Sequence, residues 1–283
     1  MFAKAVAVAQ QFTRPVVISR LHYDGSVASG MGAFVVINHD GWIITAAHLF
    51  QAEVVAPSHK KEIAAYEAAK KGGGKKGKGT RGKAPKRNPK WLVDHSYWWS
   101  ANGVSAQNIA ADFDLDIAIA QLDPFDPSTF STYPRFKDAA TGLAPGTSLC
   151  KLGYPFHEFA ATHVKGGGFQ LPAGAIPAPF FPLEGIFTRN VQGPKTKSGN
   201  TVKFIETSSP GLRGQSGGPI FDTDGVVWGI QSRTQHFDLG FSPTASTKGK
   251  NVEEHQFLNV GWGVHPEVIH AFLKAQGISF AIG

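Results

Sequence analysis

The run Gly214-Gln215-Ser216-Gly217-Gly218-Pro219 lies between two strand-like stretches and constrains the chain more than any other segment. Glycines on both sides of a serine reach backbone angles closed to other residues. The hydroxyl can then stand at the tip of a tight turn whose own amide hydrogens converge on one point. Ser216 is on that basis the candidate nucleophile, and the N–H groups of Gly214 and Ser216 are the candidate donors to a developing oxyanion. An ordinary glycine-rich turn is the plainer reading in a chain with 33 glycines, so the turn has to be judged with its surroundings. A serine hydroxyl is a poor nucleophile at neutral pH. It needs a base within hydrogen-bond reach, and that base needs a third group to fix its tautomer. Thr45-Ala46-Ala47-His48 follows the β-branched and aromatic run Trp42-Ile43-Ile44, which puts a histidine at the end of a strand. Asp116 opens the apolar run Ile117-Ala118-Ile119-Ala120-Gln121-Leu122, a buried strand with a carboxylate at its mouth. Asp112 and Asp114 compete for that role. Asp116 is preferred because it directly precedes the strand, whereas the other two are expected to face water.

Further stretches point the same way: Gly30-Met31-Gly32-Ala33-Phe34-Val35-Val36, Gly41 to His48, Asp114 to Ile119, Leu152-Gly153-Tyr154-Pro155, Gly214 to Asp222 and Gly225 to Ile230. Together they resemble the trypsin/chymotrypsin superfamily and, within it, the bacterial HtrA-like (Deg) trypsin-like peptidases. The resemblance spans nearly everything except residues of about 53 to 105. It implies an all-β, chymotrypsin-like fold: two packed six-stranded antiparallel β-barrels with the site in the cleft between them. The first barrel is expected over residues 1–140 and the second over 141–265, followed by a C-terminal helix at 266–277. A basic, partly helical insertion at 60–90 interrupts the first barrel. A serine endopeptidase acting on protein or peptide substrates through His48, Asp116 and Ser216 is implied, with Gly214 and Ser216 as the oxyanion hole and no metal or cofactor. Zymogen-activated relatives carry an aspartate where this chain has Gln215, which cannot pair with a newly cut N-terminus, so activation by N-terminal trimming is not implied. Many HtrA-like relatives carry a C-terminal PDZ domain, and none is expected here.

The same resemblance gives the specificity pocket one wall from Thr207-Ser208-Ser209-Pro210. The other comes from Ile230-Gln231-Ser232-Arg233-Thr234, a strand suited to pairing with an extended peptide. No acid in the first stretch faces a Lys or Arg substrate side chain. Small or apolar side chains before the cut are one expectation, and Arg213 and Arg233 leave acidic side chains as the other. The rival reading from a different class is a catalytically silent binding module that uses the basic insertion to hold an anionic partner.

Frequent Val, Ile and Phe runs among 33 glycines and 18 prolines fit an all-β fold with many turns. At 283 residues and 42% hydrophobic content, the chain can bury a sizeable core. One helix is plain: Pro266 at its first position, Val268, Ile269, Phe272 and Leu273 on one face, and Gly277 as its C-cap. Cys150 is the only cysteine, which rules out an intramolecular disulfide, and in Ser148-Leu149-Cys150-Lys151-Leu152 it reads as a small buried apolar residue. The apolar run Ala5 to Ala9 is shorter than the core of a secretory signal, and no apolar stretch is long enough to span a membrane. A cytoplasmic location is the expectation, with a periplasmic or secreted mature form as the alternative.

The net charge of +7 is concentrated rather than spread. Residues 60–90 hold 12 of the 28 Lys and Arg but two of the 21 Asp and Glu, leaving the rest of the chain at −3. Helix formers from Lys60 to Lys71 predict a short helix ended by Gly72. The Gly-Lys tract from Gly72 to Pro89 has almost no apolar residues and is expected to be mobile. A solvated loop, an anionic partner drawn to Lys60–Lys90, and a regulatory loop or regulatory protein at the same place are the three readings. Trp91, Tyr97, Trp98 and Trp99 follow, either as an exposed stacking platform or as the anchor of the insertion.

Overall fold

The computed structural model describes residues 1–72, 86–196, 199–242, 244–247, 250–253 and 256–283. Six antiparallel strands form the first sheet: β1 Thr13–His22, β2 Val27–Val36, β3 Trp42–Thr45, β4 Leu92–Trp99, β5 Ser105–Asp112 and β6 Ile117–Asp123. Their spatial order is β4-β1-β2-β3-β6-β5, and the two end strands curl toward each other. The inward positions are the β-branched and aromatic residues that made the strands recognisable. Val16, Ile18, Phe34, Val36, Ile43, Ala118 and Ala120 share one core with Phe50 and Trp99.

The second sheet takes in β7 Arg135–Phe136, β8 Ser148–Gly153, β11 Phe181–Lys195, β12 Thr201–Thr207, β13 Pro219–Phe221, β14 Val227–Asp238, β17 Phe257–Val264 and β18 Ala281–Ile282. Six of these run β13-β8-β11-β12-β17-β14, and pairing of β14 with β13 closes the ring. The short β7 and β18 add to it in parallel, beyond β14. Two hairpins stand apart, β9 Thr162–Val164 with β10 Gly168–Gln170, and β15 Thr244–Thr247 with β16 Lys250–Glu253. The fold is therefore all-β and chymotrypsin-like, with each barrel built around six strands.

Among the described residues, three α-helices accompany these barrels. The N-terminal apolar run is part of helix α1, Ala3–Phe12, which buries Phe2, Ala5, Ala9 and Phe12, with the Phe2 ring edge-on to Phe221. The last, α3, spans Pro266–Ala275. His265 caps it, accepting from the Glu267 N–H, and Gly277 takes φ +69° just beyond its end, as the sequence pattern requires. Its buried face of Val268, Ile269 and Leu273 seals the second barrel. Cys150 is buried in β8, where loss of solvation pushes its thiol up to about 11 and makes it inert at neutral pH.

The insertion differs from its expected form. Helix α2 runs Gln51–Gly72, beginning nine residues before the expected Lys60 and carrying Pro57 inside it. A proline there removes a helical hydrogen bond, so the first turns are held by tertiary contacts rather than by propensity. Ala52 is buried, His95 pairs with Glu53 at 3.0 Å and the Leu92 N–H donates to His59 Nδ1 at 2.8 Å. Further along, Trp91 Nε1 donates to Glu62 at 2.6 Å, and the Tyr23 hydroxyl donates to Glu67. Trp91 and Trp99 are buried and Tyr97 and Trp98 half-buried, so the aromatic group is the anchor and not a platform. The greater part of the Gly-Lys tract, 73–85, lies outside the described residues.

Candidate active site

His48 is delivered by the end of β3. The strand stops at Thr45, and Ala47–Phe50 coil into one 3₁₀ turn that leaves the imidazole at the rim, its side chain 44% exposed. Asp116 arrives on the opposite flank. Asp112 Oδ1 accepts the N–H groups of Asp114 and Leu115, both at 3.0 Å, which tightens the turn before β6. Asp116 closes that turn at φ +54°, a left-handed backbone that a non-glycine residue adopts only where its surroundings demand it. Asp116 is 4% exposed, whereas Asp112 is half-buried and Asp114 exposed. It accepts the His48 backbone N–H at 3.0 Å, and both its oxygens lie 3.0 Å from His48 Nδ1.

One partner of this carboxylate was assigned a different task by sequence reasoning. Ser232, placed in the substrate wall, turns its hydroxyl onto Asp116 Oδ2. Arg233 donates from Nε to that hydroxyl at 3.2 Å and holds a guanidinium nitrogen 3.9 Å from the carboxylate. Burial pushes the Asp116 carboxyl up, but the bonds from His48 and Ser232 outweigh it and hold the group below its ordinary value. The aspartate therefore stays ionised beside an imidazole whose Nδ1 it orients.

The Ser216 turn is fitted against both barrels. The Ala33 N–H donates to Ser216 O at 2.8 Å, and Gly217, at φ +82°, leaves no room for a Cβ against Thr45 Oγ1 and Ala33 O. Gly214, at φ +96°, is pressed as closely on the Tyr154 carbonyl. Only glycine meets both demands at once. Gln215 is buried: its Oε1 accepts from the Leu212 N–H at 3.0 Å and its amide donates to Phe181 O at 3.4 Å, so it fixes the turn from within.

Within the turn, the N–H groups of Gln215, Gly217 and Gly218 all have acceptors. Those of Gly214 and Ser216 donate to none among the described residues. The two amides named from sequence are thus the two left open. Ser216 Oγ faces Ser232 O at 3.5 Å and donates no hydrogen bond to His48. The structure brings His48 and Asp116 together and sets Ser216 beside them with its hydroxyl turned to Ser232.

The two segments expected as pocket walls lie on either side of β17. Thr207 of β12 and Thr234 of β14 both pair with Gly261 of β17, and the Thr234 hydroxyl donates across to Gly211 O. Ser208 is exposed, while Ser209 and Pro210 are half-buried. Gln231 is buried and donates to Arg233 O at 3.1 Å and to Trp262 O at 3.2 Å. Arg233 lies over the Phe204 ring, 5.1 Å from its centroid, and Arg213 is exposed on the turn before Ser216. The glycine-rich segment after Val164 forms the β9–β10 hairpin and then an irregular stretch. It leans on the first barrel through His163 to Asp94 at 3.0 Å and the Ala161 N–H to Ser29 Oγ at 3.3 Å.

Residue Lys151 carried no assignment from sequence. It is 1% exposed, and its ammonium bonds to Ser209 O, Ser209 Oγ and Pro210 O behind the first wall. The available signal was a lysine inside the run Leu149-Cys150-Lys151-Leu152, where the neighbours are apolar.

With this geometry in view, the chain belongs to the trypsin-like peptidase domain family, whose model matches residues 30–230. Among solved structures it is similar to the active form of the Rv3671c protease from M. tuberculosis, with 15% identity, a TM-score of 0.52, and coverage of 99% of this chain and 86% of that one. It is also similar to the HtrA-type protease AlgW with a tripeptide, with 15% identity, a TM-score of 0.47, and coverage of 97% of this chain and 63% of that one. No curated protein matches the chain by sequence. Among the described residues, no cluster of His, Cys, Asp and Glu fits a metal ion, and no helix is long and apolar enough to cross a membrane.

Proposed function

We propose that the protein is a serine endopeptidase that cuts peptide bonds through an acyl-enzyme on Ser216. The observation that carries this reading is the division of labour around one turn. His48 is held through Nδ1 by a buried Asp116 on one side, and the Gly214 and Ser216 N–H groups stand unused on the other. Ser216 Oγ attacks the carbonyl carbon of the substrate while its proton passes to His48 Nε2, and the resulting imidazolium is stabilised by Asp116. The carbonyl oxygen, now negative, takes the two free N–H groups. Collapse of this intermediate breaks the C–N bond, and His48 returns the proton to the leaving amine. Water then attacks the ester with His48 again as base, which frees the carboxylic acid and restores Ser216.

The test is labelling with a fluorophosphonate followed by peptide mapping. Modification at Ser216 that disappears in His48→Ala and in Ser216→Ala supports an assembled hydrolase. A folded wild-type protein that stays unlabelled would instead make the chain a binding module on a peptidase scaffold.

A further inference from the structure

Strand β14 outruns the barrel that it closes. Its partner β13 leaves it after Ile230, and the Gly217 N–H and Gly218 O of the Ser216 turn then engage the backbone of Gln231. From Ser232 to Asp238 the strand keeps β17 on one side, and on the other no strand pairs with it among the described residues. One bond at the far end fixes which way its backbone groups point. The Leu239 N–H donates to Gln256 O at 3.1 Å, and the register of Asp238 with Phe257 and of Phe237 with Leu258 makes residues 239 and 256 directly opposed. Bonded and non-bonded pairs alternate along an antiparallel ladder. Phe237, Gln235 and Arg233 therefore give their N–H and C=O groups to β17, whereas Asp238, His236 and Thr234 turn theirs to the open side.

Those outward groups are unspent. The N–H groups of Thr234, His236 and Asp238 donate to no backbone acceptor outside the sheet among the described residues, and their carbonyls receive only a long contact from Gln235 Nε2 to His236 O at 3.4 Å. An edge of this kind is a template for another strand, and proteins guard such edges with proline, lysine or a covering element. Thr234-Gln235-His236-Phe237-Asp238 has neither proline nor lysine. Beside Phe237, Leu258 and Leu239 stand 51% and 47% exposed. The edge begins at the nucleophile, since Ser232 O lies 3.5 Å from Ser216 Oγ. Behind the two expected walls, by contrast, the interior is filled. A Cβ on Gly261 would meet Lys151 Nζ at 2.5 Å and Ser209 O at 2.7 Å, the Gln231 amide takes the place of a Cβ on Gly211, and the bond from the Thr234 hydroxyl to Gly211 O crosses between the walls. A side chain at the cut finds little depth here, so recognition falls to the main chain of the substrate.

We propose that the open edge of β14 from Ser232 to Asp238 takes up the substrate as an added antiparallel strand of about seven residues on the acyl side of the cut, so that the substrates are extended polypeptide segments and not short peptides. This rests on the peptidase reading above and names its substrate class, and it carries the binding surface past Thr234, where the wall expected from sequence ends. With the scissile carbonyl at Ser216, the residue that bears it lies opposite Ser232. Antiparallel alternation then sets the third, fifth and seventh residues before the cut opposite Thr234, His236 and Asp238, where their N–H and C=O groups meet those of the edge. The fourth and sixth residues turn their backbone groups to solvent and lay their side chains on the face of Gln235 and Phe237. The contact is about 20 Å long, at about 3.4 Å per residue.

The experiment measures the rate of Ser216 labelling by peptidyl phosphonates that end in the same alanine analogue and carry three, five or seven residues, with fluorophosphonate run in parallel. The seven-residue probe is expected to label wild type at least about tenfold faster than the three-residue one, the gain that two further bonded pairs supply. Methylation of single backbone nitrogens in the long probe reads the register. The rate should fall by about fivefold when the third, fifth or seventh residue is methylated, and by less than about twofold at the fourth or sixth. In His236→Pro, which removes an outward N–H and leaves the ladder to β17 intact, the seven-to-three ratio should drop below about threefold. Because the ratio is taken within each protein, any overall change in reactivity cancels. Fluorophosphonate labelling with no gain from length, or a gain without the alternation, overturns the edge and leaves the peptidase reading standing. A wild-type dimer in sedimentation that His236→Pro dissolves, together with a flat length series, gives the edge to a second copy of the chain and likewise overturns the proposal. Absence of labelling by fluorophosphonate itself overturns both readings. Should His236→Pro fail to fold, the methylation series on wild type decides alone.

Discussion

Asp116 at the mouth of the first barrel and Lys151 inside the second are both ionisable groups withdrawn from water, and their surroundings treat them in opposite ways. Asp116 is met by the His48 backbone and ring nitrogens, the Ser232 hydroxyl and a nearby guanidinium, so its charged form is favoured despite burial. Lys151 is met by neutral oxygens alone, so its charged form is disfavoured. Under the proposed mechanism Asp116 must hold its charge through every turnover, and it is furnished with fixed donors. A group given only neutral oxygens has nothing to offset the loss of water, and its charged form is disfavoured.

The contrast is broken most violently at Asp116. Asp116→Asn keeps the shape and removes the charge, and the turnover number is expected to fall by about 10⁴, the loss seen when the equivalent change leaves the imidazole in the wrong tautomer. Steady-state peptide hydrolysis measures it, and a loss below about tenfold would mean that the carboxylate is structural. Lys151→Met should act in the reverse direction on stability. Replacing an unpaired buried cation by an apolar side chain is expected to stabilise the fold by about 1–4 kcal/mol in chemical denaturation. The sign with pH follows from the lysine's folded value of about 7 against its ordinary 10.5. Between those values the unfolded chain binds more protons than the folded one, so the wild type gains stability as pH rises. The advantage of Lys151→Met is therefore greatest at or below pH 7 and shrinks toward pH 10.5. A constant difference across that range would show that the ammonium is solvated after all.

Ser232→Ala sharpens the comparison from the other side, by taking one donor from the carboxylate. A loss of about 1–2 kcal/mol at neutral pH is expected. Asp116 lies below its ordinary 3.8 in the folded protein. The stability that its hydrogen bonds contribute is thus present above about pH 3.8 and is lost as pH falls through the lower folded value. The gap between Ser232→Ala and wild type should close in that acid window, as read by denaturation at a series of pH values.

Legibility in the sequence followed the range of the interactions. His48, Asp116 and the Ser216 turn sit in short runs whose small residues, strand patterns and glycines can be read within a few positions, and the structure brings those runs together. Lys151 and Ser232 act through residues 58 and 116 positions away. A lysine in a strand is normally placed on the solvent side, and its inward direction here depends on β8 lying between β11 and β13. The start of α2 was hidden for the same reason. Pro57 argues locally for a break, and the contacts that override it come from Leu92 and His95 on β4.

That last case yields the smallest effect and separates the insertion from the barrels. Trp91 is buried between Tyr23 and Tyr66, with ring centroids 5.5 and 5.6 Å away, and its indole N–H donates to Glu62 on α2. Trp91→Phe keeps an aromatic ring in the cluster and removes the donor, at an expected loss of about 1 kcal/mol. If α2 is a locally anchored unit, that loss belongs to the helix. Amide exchange should then speed up by about fivefold across 51–71 while the strands of the second barrel keep their protection. The His48 turn is the informative boundary, because Ala47–Phe50 runs straight into α2 at Gln51. Faster exchange that stops at Gln51 would mean that Phe50, packed on Tyr97 and Trp99, insulates the imidazole from the insertion. Faster exchange that reaches His48 would make the insertion a lever on the site itself, and labelling of Ser216 should slow in the same variant.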